Sequence, residues 1–163
     1  ATLAARFSAH RMVMDYVKEF YGPAAKQGRA LMKNRSHGAK ELADWKAKIK
    51  QLWPSVSLRR VDDIQQAVTA GDKVIIQVAA LLGELSPDDV RLECVIGIED
   101  EHHVFQTSEY VGFTANGKLD SGETLFVLEL DPPLPGLQLY QIRMYPCHEL
   151  LSHRFETGCM IWL

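Results

Sequence analysis

Three cysteines, Cys94, Cys147 and Cys159, are too few and too unevenly placed for a secreted disulfide framework. No C-x-x-C occurs, which removes the usual ligand spacing of a structural zinc site. Reduced thiols in a cytoplasmic setting are expected; a Cys94–Cys147 bridge of the immunoglobulin kind is the competing arrangement. A basic excess is missing too. Lys and Arg number 18 against 21 acidic residues, a net charge of −3, so no general field draws the chain to nucleic acid or anionic lipid. The longest apolar runs, such as VIIQVAALLG at 74–83, are far shorter than the ~20 residues that span a bilayer. No continuous hydrophobic stretch marks a signal peptide, and the start at Ala1 fits a processed product or an excised piece. Phosphate-loop, dinucleotide-glycine and G-x-S-x-G patterns are all lacking. No internal repeat or low-complexity segment occurs.

What the chain does have is ordinary globular usage, 47% hydrophobic and 24% charged over 163 residues. That suits one domain with a core, or a small domain with an appendage. Two hydrophobic periods divide it. From Ala1 to about Trp53 the period is helical. Ser8 is placed to cap a first helix, and Met12, Val13, Tyr16, Val17 and Phe20 fall on one face of it. Tyr21-Gly22-Pro23 should break or kink this helix, because proline removes a donor. Helix then resumes from Ala24 to about Asn34. NRSHG at 34–38 reads as a turn, with Ser36 capping a further helix to Leu52 whose buried side carries Leu42, Trp45, Ile49 and Leu52. Pro54 disfavours helical geometry at Trp53.

Beyond Pro54 the period is two. Seven candidate strands, SVSLRRV, KVIIQVAALLG, VRLECVIGI, HVFQTSEYVGF, TLFVLEL, LQLYQIRMYP and CMIWL, are separated by AGD, SPDD, EDEHH, ANGKLDSG and DPPLPG. Connections this short cannot hold crossover helices. The expected class is therefore α+β: N-terminal helices over 1–53, then an all-β antiparallel sandwich over 54–163, immunoglobulin- or fibronectin-III-like, of about seven strands. Val90, Leu92, Cys94, Ile96 and Ile98 should face inward, with Arg91 and Glu93 outward; Tyr140, Ile142 and Met144 form the inward set of a later strand. Tyr140, just after PPLPG, is either the tyrosine of a tyrosine corner or a half-buried strand residue.

No catalytic, cofactor or metal-binding residue emerges, and any glucan contact stays unassigned. His102 and His103 are neighbours, so on a strand they point to opposite faces and cannot share one ion. CHELLSH places His148 and His153 around Glu149, one position too long for the H-E-x-x-H zinc motif, so a surface connection is the better reading. Asp62–Asp63 and Asp88–Asp89 read as solvated turns rather than paired catalytic carboxylates. Trp45, Trp53 and Trp162 suit packing better than a sugar-stacking platform. Arg59–Arg60 and KAKIK at 46–50 are small basic clusters for which a solvated face is the default and an anion contact the alternative.

FSAHRMVMDYVKEFYGPAA at 7–25 resembles the helix just after the catalytic core of α-glucan (glycogen, starch or maltodextrin) phosphorylases. That family's pattern F-S-x-x-R-M-V-x-x-Y-x-x-x-x-Y falls here on Phe7, Ser8, Arg11, Met12, Val13, Tyr16 and Tyr21. LADWKAKIKQLWPSVSL at 42–58, GDKVIIQVAALLGELSPDDVRLECVIG, YQIRMYPCHELL and the closing ETGCMIWL are similar to the C-terminal extension of the bacterial and archaeal subgroup. The resemblance implies a piece of a GT-B glycosyltransferase of carbohydrate metabolism that uses pyridoxal phosphate to phosphorolyse α-1,4-glucan to glucose 1-phosphate. It implies that residues 1–53 close a Rossmann-like lobe and connect it to the sandwich. The family's cofactor lysine and its phosphate- and glucose-binding residues have no counterpart in this sequence. On its own, then, the chain is not expected to be an enzyme. Its expected partners are the catalytic lobes of the same polypeptide, with a homo-oligomer or α-glucan as further options. A stand-alone sandwich module that binds glucan or a protein is the alternative.

Overall fold

In the computed structural model, residues 9–63, 73–99, 101–131 and 139–163 are described. The Ser8 cap, the AGD turn and most of DPPLPG lie outside them.

Helix α1, Ala9–Tyr16, passes through a π turn, Val17–Tyr21, into helix α2, Gly22–Leu52. The break expected at Gly22-Pro23 is absorbed instead. Pro23 cannot donate to the carbonyl four residues back, and its ring crowds that carbonyl. One turn widens in response, so that the Gly22 N–H bonds the Val17 carbonyl five residues back.

Helix α2 stays hydrogen-bonded through 34–38 but folds sharply there. Ser36 has φ +64°, the left-handed region that branched or bulky residues avoid. A Cβ on Gly38 would lie 2.8 Å from the Ala30 carbonyl oxygen, whereas eight residues of straight helix rise about 12 Å. Gln27 Nε2 donates to the Leu150 carbonyl at 3.0 Å, and the Trp45 ring sits 4.9 Å from that of His148. Both limbs of α2 therefore reach the same loop. The turn expected at NRSHG is present, but the cap is not: the Ser36 hydroxyl contacts Met32 Sδ at 3.5 Å. At the far end a 3₁₀ turn, Trp53–Ser55, follows Leu52. Trp53 is itself helical (φ −55°, ψ −36°) with its N–H on the Ile49 carbonyl. Burial of Trp53 beside Ile49 overrides the preference that Pro54 imposes.

Eight strands follow: β1 Ser57–Arg60, β2 Val74–Leu81, β3 Val90–Glu99, β4 Phe105–Gly112, β5 Thr114–Lys118, β6 Thr124–Leu130, β7 Leu139–Pro146 and β8 Ile161–Trp162. They form two four-stranded sheets, β1-β2-β6-β5 and β4-β3-β7-β8, antiparallel throughout. This is the A-B-E-D and C-F-G order of immunoglobulin-type sandwiches, with β4 added beside C. Strand β5 is added to the seven candidate strands, within the expected count of about seven. Asn116-Gly117 is not a hairpin turn: with φ +80° at Gly117 the strand bulges between Ala115 and Lys118. The turn is confined to residues 119–123, closed by Leu119 N–H to the Glu123 carbonyl and Gly122 N–H to that of Leu119, both 2.8 Å.

Between the sheets lie Ile76, Val78 and Ala80 of β2, Leu92, Cys94 and Ile96 of β3, Phe126 and Leu128 of β6, and Ile142 and Met144 of β7. Leu42, Trp45 and Ile49 extend this core into α2, and Trp53 into the 3₁₀ turn that follows it. Each large side chain so buried contributes roughly 1.5–3 kcal/mol, so the second limb of α2 is held by the sandwich rather than by helix propensity. Ile98 departs from the expected inward set and is exposed. Pairing with β7 stops at Gly97, which leaves Ile98 beyond the sandwich. The three thiols are free, and Cys94 is buried. Register excludes the Cys94–Cys147 bridge. The Cys147 N–H bonds the Asp89 carbonyl, and five residues of strand put Cys94 about 17 Å further on.

Candidate functional site

The residues that sequence patterning singled out for chemistry are dispersed or already engaged. His103 Nδ1 lies 2.5 Å from Glu99 Oε1 in an exposed turn. His148 stacks on Trp45 and accepts the Leu150 N–H, while His153 Nδ1 accepts the Phe155 N–H. Among the described residues, no group of three or more His, Cys, Asp or Glu could hold a metal ion.

Two carboxylates read as solvated are structural anchors. Asp89 accepts from Trp45 Nε1 at 2.7 Å, Lys48 Nζ at 2.9 Å and the Ser86 N–H at 2.9 Å, tying α2 to the start of β3. Burial would raise its pKa, but the hydrogen bonds from Lys48, Ser86 and Trp45 outweigh that and hold it below the ordinary value. Asp62 accepts from the Arg60 guanidinium at 2.7–3.1 Å and from the Gln77 N–H at 2.9 Å. Arg60 also donates to the Tyr140 hydroxyl and lies 5.4 Å over that ring. Tyr140 therefore meets a side chain, and the upstream backbone that a tyrosine corner would use, residues 132–138, lies outside the described residues. Arg59 is held by Glu123 at 2.6–2.8 Å, and Lys46 by Glu156 at 2.5 Å. Of these basic clusters, the cations Arg59, Arg60, Lys46 and Lys48 are already paired with carboxylates. Trp45 and Trp53 are core residues and only Trp162 is exposed, so the three tryptophans form no platform.

Sequence reasoning placed Glu93 outward, as its alternation requires, but the outer face of β3 and β7 is itself covered. Glu93 is only 4% exposed. Its Oε1 accepts from Arg143 Nε at 2.6 Å and from Nη2, and its Oε2 accepts from the Tyr145 hydroxyl at 2.9 Å. The Arg143 guanidinium lies 4.9–5.9 Å from the ring centroids of Phe155, Tyr110, Trp162 and Tyr145. Register builds this cluster: Gly112, Glu93, Arg143 and Trp162 form one row across the sheet. The available signal was a charge of each sign embedded mid-strand between apolar neighbours, in RLECV and QIRMY.

A second surface is apolar and open. Met12, Val13, Tyr16, Val17 and Phe20 share a face as expected, and all are exposed, together with Met14, Tyr21 and Met32. Tyr16 stacks with Phe20 at 4.9 Å and with Tyr21 at 5.7 Å. Contiguous apolar exposure of this kind marks an interaction site rather than a solvated surface. No described helix is long and apolar enough to cross a membrane.

Fold and surface together define an immunoglobulin-type sandwich with a helical arm. The polar clusters described above are satisfied internally, and the arm carries exposed apolar side chains. Comparison with known proteins gives that class a family. Residues 53–163 match the model of the glycogen phosphorylase C-terminal domain, and the chain belongs to that family. It is 30% identical to maltodextrin phosphorylase of Thermococcus litoralis over 99% of this chain and 19% of that protein. It is also 30% identical to glycogen phosphorylases of Mycobacterium bovis and Mycobacterium tuberculosis, over 96% of this chain and 18% of theirs. The chain thus spans about a fifth of the length of these relatives. No solved structure matches it significantly.

Proposed function

We propose that this chain is the C-terminal, non-catalytic portion of a cytoplasmic α-glucan phosphorylase, and that its role is to pack against and hold the catalytic lobes of the same polypeptide. Catalysis and pyridoxal phosphate belong to those lobes. The cofactor does not fit the residues present here: among the lysines whose side chains are described none is buried, and Lys46, Lys48 and Lys73 are committed to Glu156, Asp89 and Glu129. A Schiff-base lysine needs a pocket that desolvates and orients it. The observation that carries the reading is the open face of Met12, Val13, Tyr16, Val17 and Phe20 on a helix continuous with a well-packed sandwich. Such a face needs a partner, and relatives about five times as long supply one in cis.

The test is to express the polypeptide that contains this chain and assay glucose 1-phosphate release from maltoheptaose and inorganic phosphate. Activity is expected from the long polypeptide and none from residues 1–163 alone. V17D with F20D is expected to lower the activity of the long form by loosening the lobes. Glucose 1-phosphate from the isolated chain, or a lysine-dependent cofactor absorbance in it, would overturn the reading.

A further inference from the structure

The outer face of the β4-β3-β7-β8 sheet holds an arginine that the fold positions but leaves at the surface. Arg154 is half-exposed, and its guanidinium lies 5.2 Å over the Tyr110 ring and 4.9 Å over that of Phe155. The nearest carboxylate oxygen, Glu93 Oε1, is 3.9 Å away and already accepts two bonds from Arg143. Two rings within 5.2 Å confine the guanidinium, and a confined fork matches a carboxylate at lower entropic cost. Tyr110 and Trp162, 49% and 50% exposed, belong to the same cluster through Arg143. Tyrosine, tryptophan and arginine are the residue types that dominate binding energy at protein interfaces. Two arginines against Glu93 leave the patch cationic, so charge complementarity calls for an acidic partner.

We infer that Tyr110, Arg154 and Trp162 form a second docking surface, separate from the α1 face, and that it receives an acidic segment of the remaining polypeptide with a carboxylate seated on Arg154. This rests on the reading of the chain as part of a longer enzyme, whose other four-fifths supply the occupant. The geometry gives the contact a defined character: one bidentate ion pair rimmed by two aromatic rings that shield it from water.

Hydroxyl-radical footprinting of the full polypeptide, compared with residues 1–163 alone, tests it. Tyr110 and Trp162 are expected to label several-fold more slowly in the long form, and R154Q in the long form is expected to restore their labelling. Protection of Met12, Met14 and Phe20 reports the α1 face separately, so failure of the parent reading shows at those residues and failure of this inference at Tyr110 and Trp162. Equal labelling of Tyr110 and Trp162 in both lengths, or protection that survives R154Q, would overturn the inference. Protection in residues 1–163 that rises with protein concentration would assign the face to a second copy and overturn it. Protection there on adding maltoheptaose would assign it to sugar, with the same consequence.

Discussion

Removing the arginine at the centre of the outer-face cluster should be among the most costly single changes to the sandwich. In Arg143→Met, Glu93 keeps the Tyr145 hydroxyl at 2.9 Å but loses both guanidinium bonds while staying 4% exposed. Breaking a buried ion pair costs about 3–5 kcal/mol, because the remaining charge stays desolvated. Arg154, at 3.9 Å from the same oxygen, can move in and recover part of that. The lower end, about 3 kcal/mol, is therefore expected, which for a chain of this size lowers Tm by roughly 6–12 °C. Glu93→Leu with Arg143→Met removes both charges and lets the methionine sulfur pack on the rings that surrounded the guanidinium. The double variant is expected to be more stable than Arg143→Met, with a coupling of about 2–3 kcal/mol between the sites. Urea unfolding followed by tryptophan fluorescence reads this directly, since the Trp162 ring centroid lies 5.4 Å from the Arg143 guanidinium. A loss under about 1 kcal/mol for Arg143→Met, with additive effects in the double variant, would refute the reasoning.

Local geometry gives three further expected outcomes. Gly38→Ala places a Cβ 2.8 Å from the Ala30 carbonyl oxygen and should cost about 1–3 kcal/mol in thermal melts, whereas Gly28→Ala, with open space around it, should be neutral or gain up to about 1 kcal/mol. Lys46 and Ser152 hold the Glu156 carboxyl down at about 2 against an ordinary 4.5. A carboxyl depressed in the folded state stabilises above its unfolded pKa and ceases to as pH falls through the folded one. Glu156→Gln should therefore flatten the pH dependence of stability between pH 4.5 and about 2, by no more than about 1 kcal/mol because the pair is partly solvated. Burial pushes the Cys94 thiol up to about 12, so in a thiol titration at pH 8 of the folded chain Cys147 and Cys159 should react first and Cys94 only on unfolding.

The parts of the fold that sequence patterning captured are those where burial alone decides the outcome. Alternation in VRLECVIGI and helical spacing in LADWKAKIKQL specify which side faces the core, because burial of Leu92, Cys94, Ile96, Trp45 and Ile49 prevails locally. Where two effects compete, local rules failed. Pro54 should have excluded helix at Trp53, but tertiary packing of that ring prevails. Asn116-Gly117 has the composition of a hairpin turn, yet pairing with β6 extends through it as a bulge. Glu93 alternates to the outer face as expected, but its partner Arg143 is surrounded by Tyr110, Phe155 and Trp162 brought from three distant segments. Coverage of that kind leaves no local trace in RLECV. The two candidate surfaces depend on exposure, which a sequence does not carry.

Amide hydrogen exchange over residues 9–32, in the isolated chain and in the polypeptide that contains it, tests the central claim most directly. With the face of Met12, Val13, Tyr16, Val17 and Phe20 open to solvent, exchange in the isolated chain should be much faster there than in β3 and β7. In the longer polypeptide the same amides should slow by orders of magnitude as the face is buried, while those of β3 change little. Equal exchange over residues 9–32 in both forms would contradict the claim that this arm is the surface that joins the sandwich to the rest of the enzyme.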